Sequence, residues 1–198
     1  LLISGLSVKV DGLTPRFDNW FDKEAVLTFM PSPSIMKAKI RYTLDGEAPT
    51  AANSILYEKP IRLKKTAVIQ AAAFDVEGRM LGYPLRMTYQ FHPVTEKVEG
   101  LNPDGRFTEA ITVKLSARVG GEIRYTVDGS EPTTNSPVYA GPIKIEKKST
   151  TVCAALFADG KKVGEGFSRG FVWFNYAKNL TTGKPVTVSP EQGGTGPQ

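Results

Sequence analysis

Reactive chemistry in this 198-residue chain has few side chains to draw on. His92 is the only histidine and Cys153 the only cysteine. A Ser-His-Asp or Cys-His nucleophile would therefore have to use His92, which directly precedes a proline and reads as a solvated linker residue. One histidine and one cysteine also fall short of the usual ligand set of a structural zinc site. Carboxylates are the next resource: Asp45 with Glu47, and Asp128 with Glu131. Paired carboxylates can run glycoside hydrolysis, and with several more oxygen ligands they can hold calcium. Here each aspartate opens an Asp-Gly pair, Asp45-Gly46 or Asp128-Gly129, followed by Pro49 or Pro132. Such a pair ends a strand with ordinary turn chemistry, since glycine accepts positive φ and aspartate bonds its own downstream backbone. The turn reading is preferred, so no catalytic residue, metal or cofactor is assigned.

A third set is aromatic. Phe17, Trp20 and Phe21 are interleaved with Asp18, Asn19 and Asp22, with no clear counterpart later in the chain. Exposed rings framed by polar groups can stack on the face of a pyranose. The same rings can instead cap one end of a sandwich or touch a neighbouring domain, and that reading is favoured. Gly160, Gly164 and Gly166 form no phosphate cradle, because no helix is expected after them.

The elements that must position these residues are set by duplication. IRYTLDGEAPT at 40–50 returns as IRYTVDGSEPT at 123–133. NSILYEKPIRL at 53–63 returns as NSPVYAGPIKI at 135–145, and AAAFDVEGRMLG at 71–82 as AALFADGKKVG at 154–164. Upstream, VDGLTP at 10–15 answers VEGLNP at 98–103, and Glu24-Ala25-Val26 answers Glu109-Ala110-Ile111. A repeat of this quality fixes architecture before residue chemistry is considered. It divides the chain into residues 1–93, residues 94–177 and a polar remainder, 178–198. Paired lysines, Lys64-Lys65 and Lys147-Lys148, fall at equivalent places and read as solvated tips. The other cations are scattered, so a net charge of +5 makes no phosphate-backbone footprint and no nucleic-acid partner is expected. No apolar run is long enough to enter a membrane as a helix. The opening Leu1-Leu2-Ile3-Ser4 lacks a methionine and reads as the start of an excised piece, so the missing signal peptide carries no weight.

Alternation predicts short strands at 7–10, 24–30, 39–44, 55–57, 61–63, 67–74 and 87–91 in the first unit. In 39–44, Ile40, Tyr42 and Leu44 are expected inward and Arg41 and Thr43 outward, while 16–23 is expected to be irregular. The alanines of 67–74 favour helix, but the β-branched start of its partner at 150–157 decides for strand in both. The second unit repeats the order at 110–115, 122–127, 138–139, 143–145, 150–157 and 170–174. Many short strands, close turns and no sustained helical period describe an all-β chain of two tandem immunoglobulin-like antiparallel β-sandwiches. The connection at His92-Pro93 leaves little slack, so the two are expected end to end.

The phrase Y-T-x-D-G-x-x-P-T, at 42–50 and 125–133, followed each time by S-x-x-Y and then P-I, resembles the chitobiase/β-hexosaminidase C-terminal domain family, also described as fibronectin-III-associated. The resemblance covers residues 5 to 175 and implies an immunoglobulin-like sandwich appended to a secreted, periplasmic or cell-surface bacterial enzyme acting on glycans. At 179–189, NLTTGKPVTVS is similar to the opening of a discoidin (factor 5/8 type C) domain. The two resemblances together imply a non-catalytic accessory region, with catalytic and discoidin-like domains of the same polypeptide as partners. A carbohydrate-binding module, with glycan as partner on Phe17, Trp20 and Phe21, is the second reading.

Overall fold

A computed structural model describes residues 5–13 and 19–174 of the protein. Phe17 and the discoidin-like stretch at 179–189 lie outside the described residues. The first unit contains β1 (Leu6–Asp11), β2 (Trp20–Phe21), β3 (Ala25–Pro31), β4 (Lys39–Thr43), β5 (Ile55–Leu56), β6 (Ile61–Leu63), β7 (Ala67–Phe74) and β8 (Met80–Phe91). The second contains β9 (Val94–Glu99), β10 (Arg106–Phe107), β11 (Ile111–Ala117), β12 (Glu122–Thr126), β13 (Ile143–Ile145), β14 (Thr150–Ala158) and β15 (Lys161–Trp173). A single 3-10 turn, Pro33–Ile35, is the only helical element among the described residues.

The protein is all-β, and each unit is an immunoglobulin-like sandwich of two sheets. In the first, β1-β3-β6 faces β2-β8-β7-β4-β5; in the second, β9-β11-β13 faces β10-β15-β14-β12. Pairing is antiparallel except for the two short strands β2 and β10, which run parallel to the ends of β8 and β15. Inner-face alternation builds each core. Ala25, Leu27 and Phe29 of β3 meet Ile69, Ala71 and Tyr89 in the first, and Ile111, Val113 and Leu115 meet Val152, Ala154 and Phe171 in the second. β7 is a strand despite its alanines because β4 and β8 flank it and satisfy its backbone on both sides. Val119 and Val163 pack against both clusters, so the two cores meet at the junction.

Several sequence expectations need correction. The stretch 16–23 is not wholly irregular, since Trp20 and Phe21 pair with Gln90 and Phe91. Leu44 is exposed and Thr43 buried, the reverse of the expected alternation. β4 stops at Thr43, and the turn folds back so that the Thr43 hydroxyl donates to the Glu47 carbonyl at 2.6 Å. Ala25 corresponds to Ile111 rather than to Ala110, because they pair with Leu63 and Ile145 at equivalent places. A slip of one residue would turn each inner face outward. β8 and β15 start well before 87 and 170, running through bulges opposite Ala71–Ala73 and Ala154–Leu156. Gly82 and Gly164 absorb those bulges in left-handed backbone, with φ of 79° and 67°. β9 follows Pro93 immediately and had no strand assigned to it, and residues 138–139 make only a single bridge, Arg124 to Val138.

Candidate functional site

The repeated turn is the most regular constellation in the molecule. The Asp45 carboxylate accepts the Glu47 N–H at 3.0 Å. Asp128 accepts the Ser130 N–H at 2.9 Å and the Ser130 hydroxyl at 2.6 Å. The Ser130 hydroxyl, and next its N–H, hold the Asp128 carboxyl below the usual carboxylate range. Gly46 and Gly129 both have φ of 86°, and a Cβ on Gly46 would stand 2.9 Å from Val68 Cγ1. Pro49 and Pro132 are buried beneath the turns. Glu131 pairs with Lys162. Asp45 and Asp128 thus accept from the backbone of their own turns, and Glu131 is held in an ion pair. Among the described residues no three His, Cys, Asp or Glu side chains group to hold a metal.

Tyrosines brace the same region. The Tyr57 hydroxyl accepts the Phe29 N–H at 3.2 Å, and the Tyr139 hydroxyl accepts the Leu115 N–H at 3.0 Å. Each packs edge-on against a motif tyrosine, Tyr42 or Tyr125, at 6.5 and 6.2 Å between centroids. Burial, with the Tyr57 phenol adding to it, raises the Tyr42 pKa. Cys153 is buried, its thiol donating to the Ser168 hydroxyl at 3.3 Å.

The aromatic set is split by the structure. Phe21 is 0% exposed and stacks on Phe91 at 5.3 Å, so it belongs to the core and has no face to offer a ligand. Trp20, one residue earlier on β2, points to the other side of the strand and is half-buried. It stacks on His92, with centroids 3.7 Å apart and rings inclined by 16°. His92 is therefore not a solvated linker residue. Its Nε2 is buried and has no hydrogen-bond partner among the described residues. Burial pulls its pKa below the ordinary value, opposed by the nearby charge of Glu165.

A counterpart in the second unit does exist, contrary to the sequence reading. Phe107 is 0% exposed, as Phe21 is. The N–H groups of His92 and Phe174 donate to the carbonyls of Phe21 and Phe107, both at 2.8 Å. In place of the Trp20–His92 stack, the Arg106 guanidinium lies over the Phe174 ring at 5.3 Å.

Between the sandwiches lies a cleft of about 460 Å³, lined in part by Trp20, Asp22, His92, Thr95, Phe167 and Arg169. Arg169 bonds Glu96 at 2.8 Å, and Asp22 bonds Arg118 at 2.8 Å. Beside it, the Thr66 hydroxyl accepts the Phe91 N–H at 3.1 Å and donates to Glu165 at 3.1 Å. Thr66, Arg118 and Glu165 were missed in the sequence. Aligning Phe91-His92 with Trp173-Phe174 would have marked the junction as packed, since the second pair is wholly aromatic. The cleft offers rings and hydrogen-bonding groups, the Thr95 and Ser168 hydroxyls among them, and the buried His92 Nε2 is hydrogen-bonded to neither.

Fold and site together define a class: duplicated β-sandwich modules whose signature residues build turns. The chain belongs to the chitobiase/beta-hexosaminidase C-terminal domain family, which matches residues 26–81 and 102–168. One matched segment falls in each sandwich. No curated protein matches the chain.

Proposed function

We propose that the two sandwiches form a rigid, non-catalytic spacer of a secreted, periplasmic or cell-surface bacterial glycan-degrading enzyme, of the β-hexosaminidase type or a related glycoside hydrolase. The family is consistent with an accessory domain of such an enzyme. The observation that carries the reading is the joint. Asp22–Arg118, Thr66–Glu165 and the two valines shared between the cores tie units separated only by His92 and Pro93. A joint with charged, hydrogen-bonded and apolar contacts resists bending better than a solvated linker. The partners are then the catalytic domain and, if the stretch at 179–189 opens a discoidin-like fold, a binding module of the same polypeptide.

Trp20 at the cleft keeps the carbohydrate-binding reading open as the second one, with Phe21 withdrawn from it. Affinity electrophoresis of the chain through a panel of immobilised glycans, with Trp20→Ala as control, separates the two. The spacer reading expects no retardation of either protein. Retardation that Trp20→Ala abolishes would replace the spacer by a binding module.

A further inference from the structure

Each sandwich has a corresponding end, made by the β3–β4 or β11–β12 connection together with the β7–β8 or β14–β15 hairpin. In the second sandwich this end is covered by the first. Val119 and Val163 reach both cores, Arg118 pairs with Asp22, and Glu165 takes the Thr66 hydroxyl. A Cβ added to Gly164 would stand 2.6 Å from the Phe91 carbonyl oxygen.

Strand pairing locates the same surface on the first sandwich. Leu81 pairs with Ala73 as Val163 pairs with Leu156, so Gly82 answers Gly164 and Tyr83 answers Glu165. Likewise Leu6 pairs with Pro31 as Val94 pairs with Ala117, so Gly5 answers Pro93, the residue by which one sandwich enters the next. Here Met36, Val76 and Tyr83 are 71%, 86% and 68% exposed. Met36 and Val76 border a depression of about 650 Å³ that Ile35 and Leu81 also line. Large apolar side chains gathered in one place mark an interaction surface more strongly than the same residues scattered singly.

We propose that this end of the first sandwich is a docking surface for a folded domain joined directly ahead of Gly5 in the same polypeptide. That domain seats on Ile35, Met36, Val76 and Tyr83 as the first sandwich seats on Val119, Val163 and Glu165. Tyr83 stands where the second unit has a carboxylate, and Lys37 and Asp75 line the depression beside the apolar residues. The incoming face is therefore apolar at its centre, polar at its rim, and supplies a hydrogen-bond acceptor for the phenol. The proposal rests on the accessory-region reading, because it requires a neighbouring domain.

The test is thiol labelling of Met36→Cys and Val76→Cys in the natural polypeptide, including whatever precedes Leu1, and in the 198-residue chain. Buried Cys153 serves as the slow internal reference. The expected result is at least about tenfold slower maleimide labelling at both positions when the preceding domain is present. Val76→Lys restores fast labelling at Met36→Cys there while leaving the melting of the 198-residue chain unchanged. Equal labelling rates in the two proteins overturn the proposal, as does a polypeptide with no folded domain ahead of Gly5. Protection that instead grows with concentration of the 198-residue chain assigns the surface to a second copy and also overturns it. None of these outcomes bears on the joint at His92-Pro93 or on glycan retardation, so the spacer reading fails or stands separately.

Discussion

In the first sandwich the last core strand ends at Phe91, and His92 follows it to lie flat on Trp20. In the second, the equivalent strand ends at Trp173, and Phe174 follows it to lie beneath Arg106. The backbone bonds that place the two rings are the same, from His92 to Phe21 and from Phe174 to Phe107. So are the hydroxyls that close the strand ends, since Thr66 accepts from Phe91 and Ser149 from Trp173. What differs is the pair of side chains presented outward. The duplicated sequence thus preserves what each sandwich needs to fold, and varies the side chains at the end where its last strand leaves. A desolvated imidazole on an indole suits a face closed by another domain. An arginine over a phenyl ring keeps its charge toward water.

The equivalence can be broken most sharply in the cores. Phe21→Ala and Phe107→Ala should each cost about 3–5 kcal/mol in denaturant unfolding, because both rings are fully buried. A mild effect at one and a severe effect at the other would mean that the two rings are not counterparts. Next come the hairpin glycines. Gly82→Val and Gly164→Val share the penalty of left-handed backbone, about 1–2 kcal/mol. Gly164→Val adds a collision across the joint, with the Phe91 carbonyl and Pro93. Small-angle scattering should therefore show the two units separating in Gly164→Val, whereas Gly82→Val, which lies away from the joint, should leave the scattering profile unchanged.

The tyrosine braces predict smaller, matched losses. Tyr57→Phe and Tyr139→Phe each strip a hydrogen bond from a strand amide, at about 1 kcal/mol apiece by urea unfolding. The smallest effect concerns pH. His92 has its pKa lowered by burial, so the unfolded chain binds the proton more readily than the folded one. Stability from this site is therefore fully present above the ordinary value of 6.5 and declines as pH falls through it toward the lower folded value. His92→Phe, which copies the second unit, should flatten the change in melting temperature between pH 7.5 and 5.5. An unchanged slope in the variant would place the titration elsewhere.

Much of this architecture was legible because the repeat supplied each strand with a second reading. β7 could not be told from a helix by its alanines, but TTVCAALF at 150–157 could. The turn motif was equally plain, since Asp-Gly followed by a proline has few other uses. The ends were not legible. Thr43 and Leu44 exchanged their expected exposure because a side chain-to-backbone bond, invisible to alternation, ended the strand one residue early. β2 and β10 are two-residue strands, too short to show any period. His92 read as solvated because local sequence carries no trace of Trp20, which reaches it only through the parallel pairing of β2 with β8. The joint depends on Asp22, Thr66, Arg118 and Glu165, contributed by four separate segments, and no spacing rule connects them.

The rigidity of that joint is the claim on which the spacer reading depends, and residual dipolar couplings measured on both units of the weakly aligned chain test it directly. A single alignment tensor, equal in magnitude and orientation for residues 5–91 and 94–174, is the predicted result, with Gly164→Val splitting it in two. Two tensors of different magnitude in the unmodified chain would show the sandwiches reorienting independently, and would contradict the account.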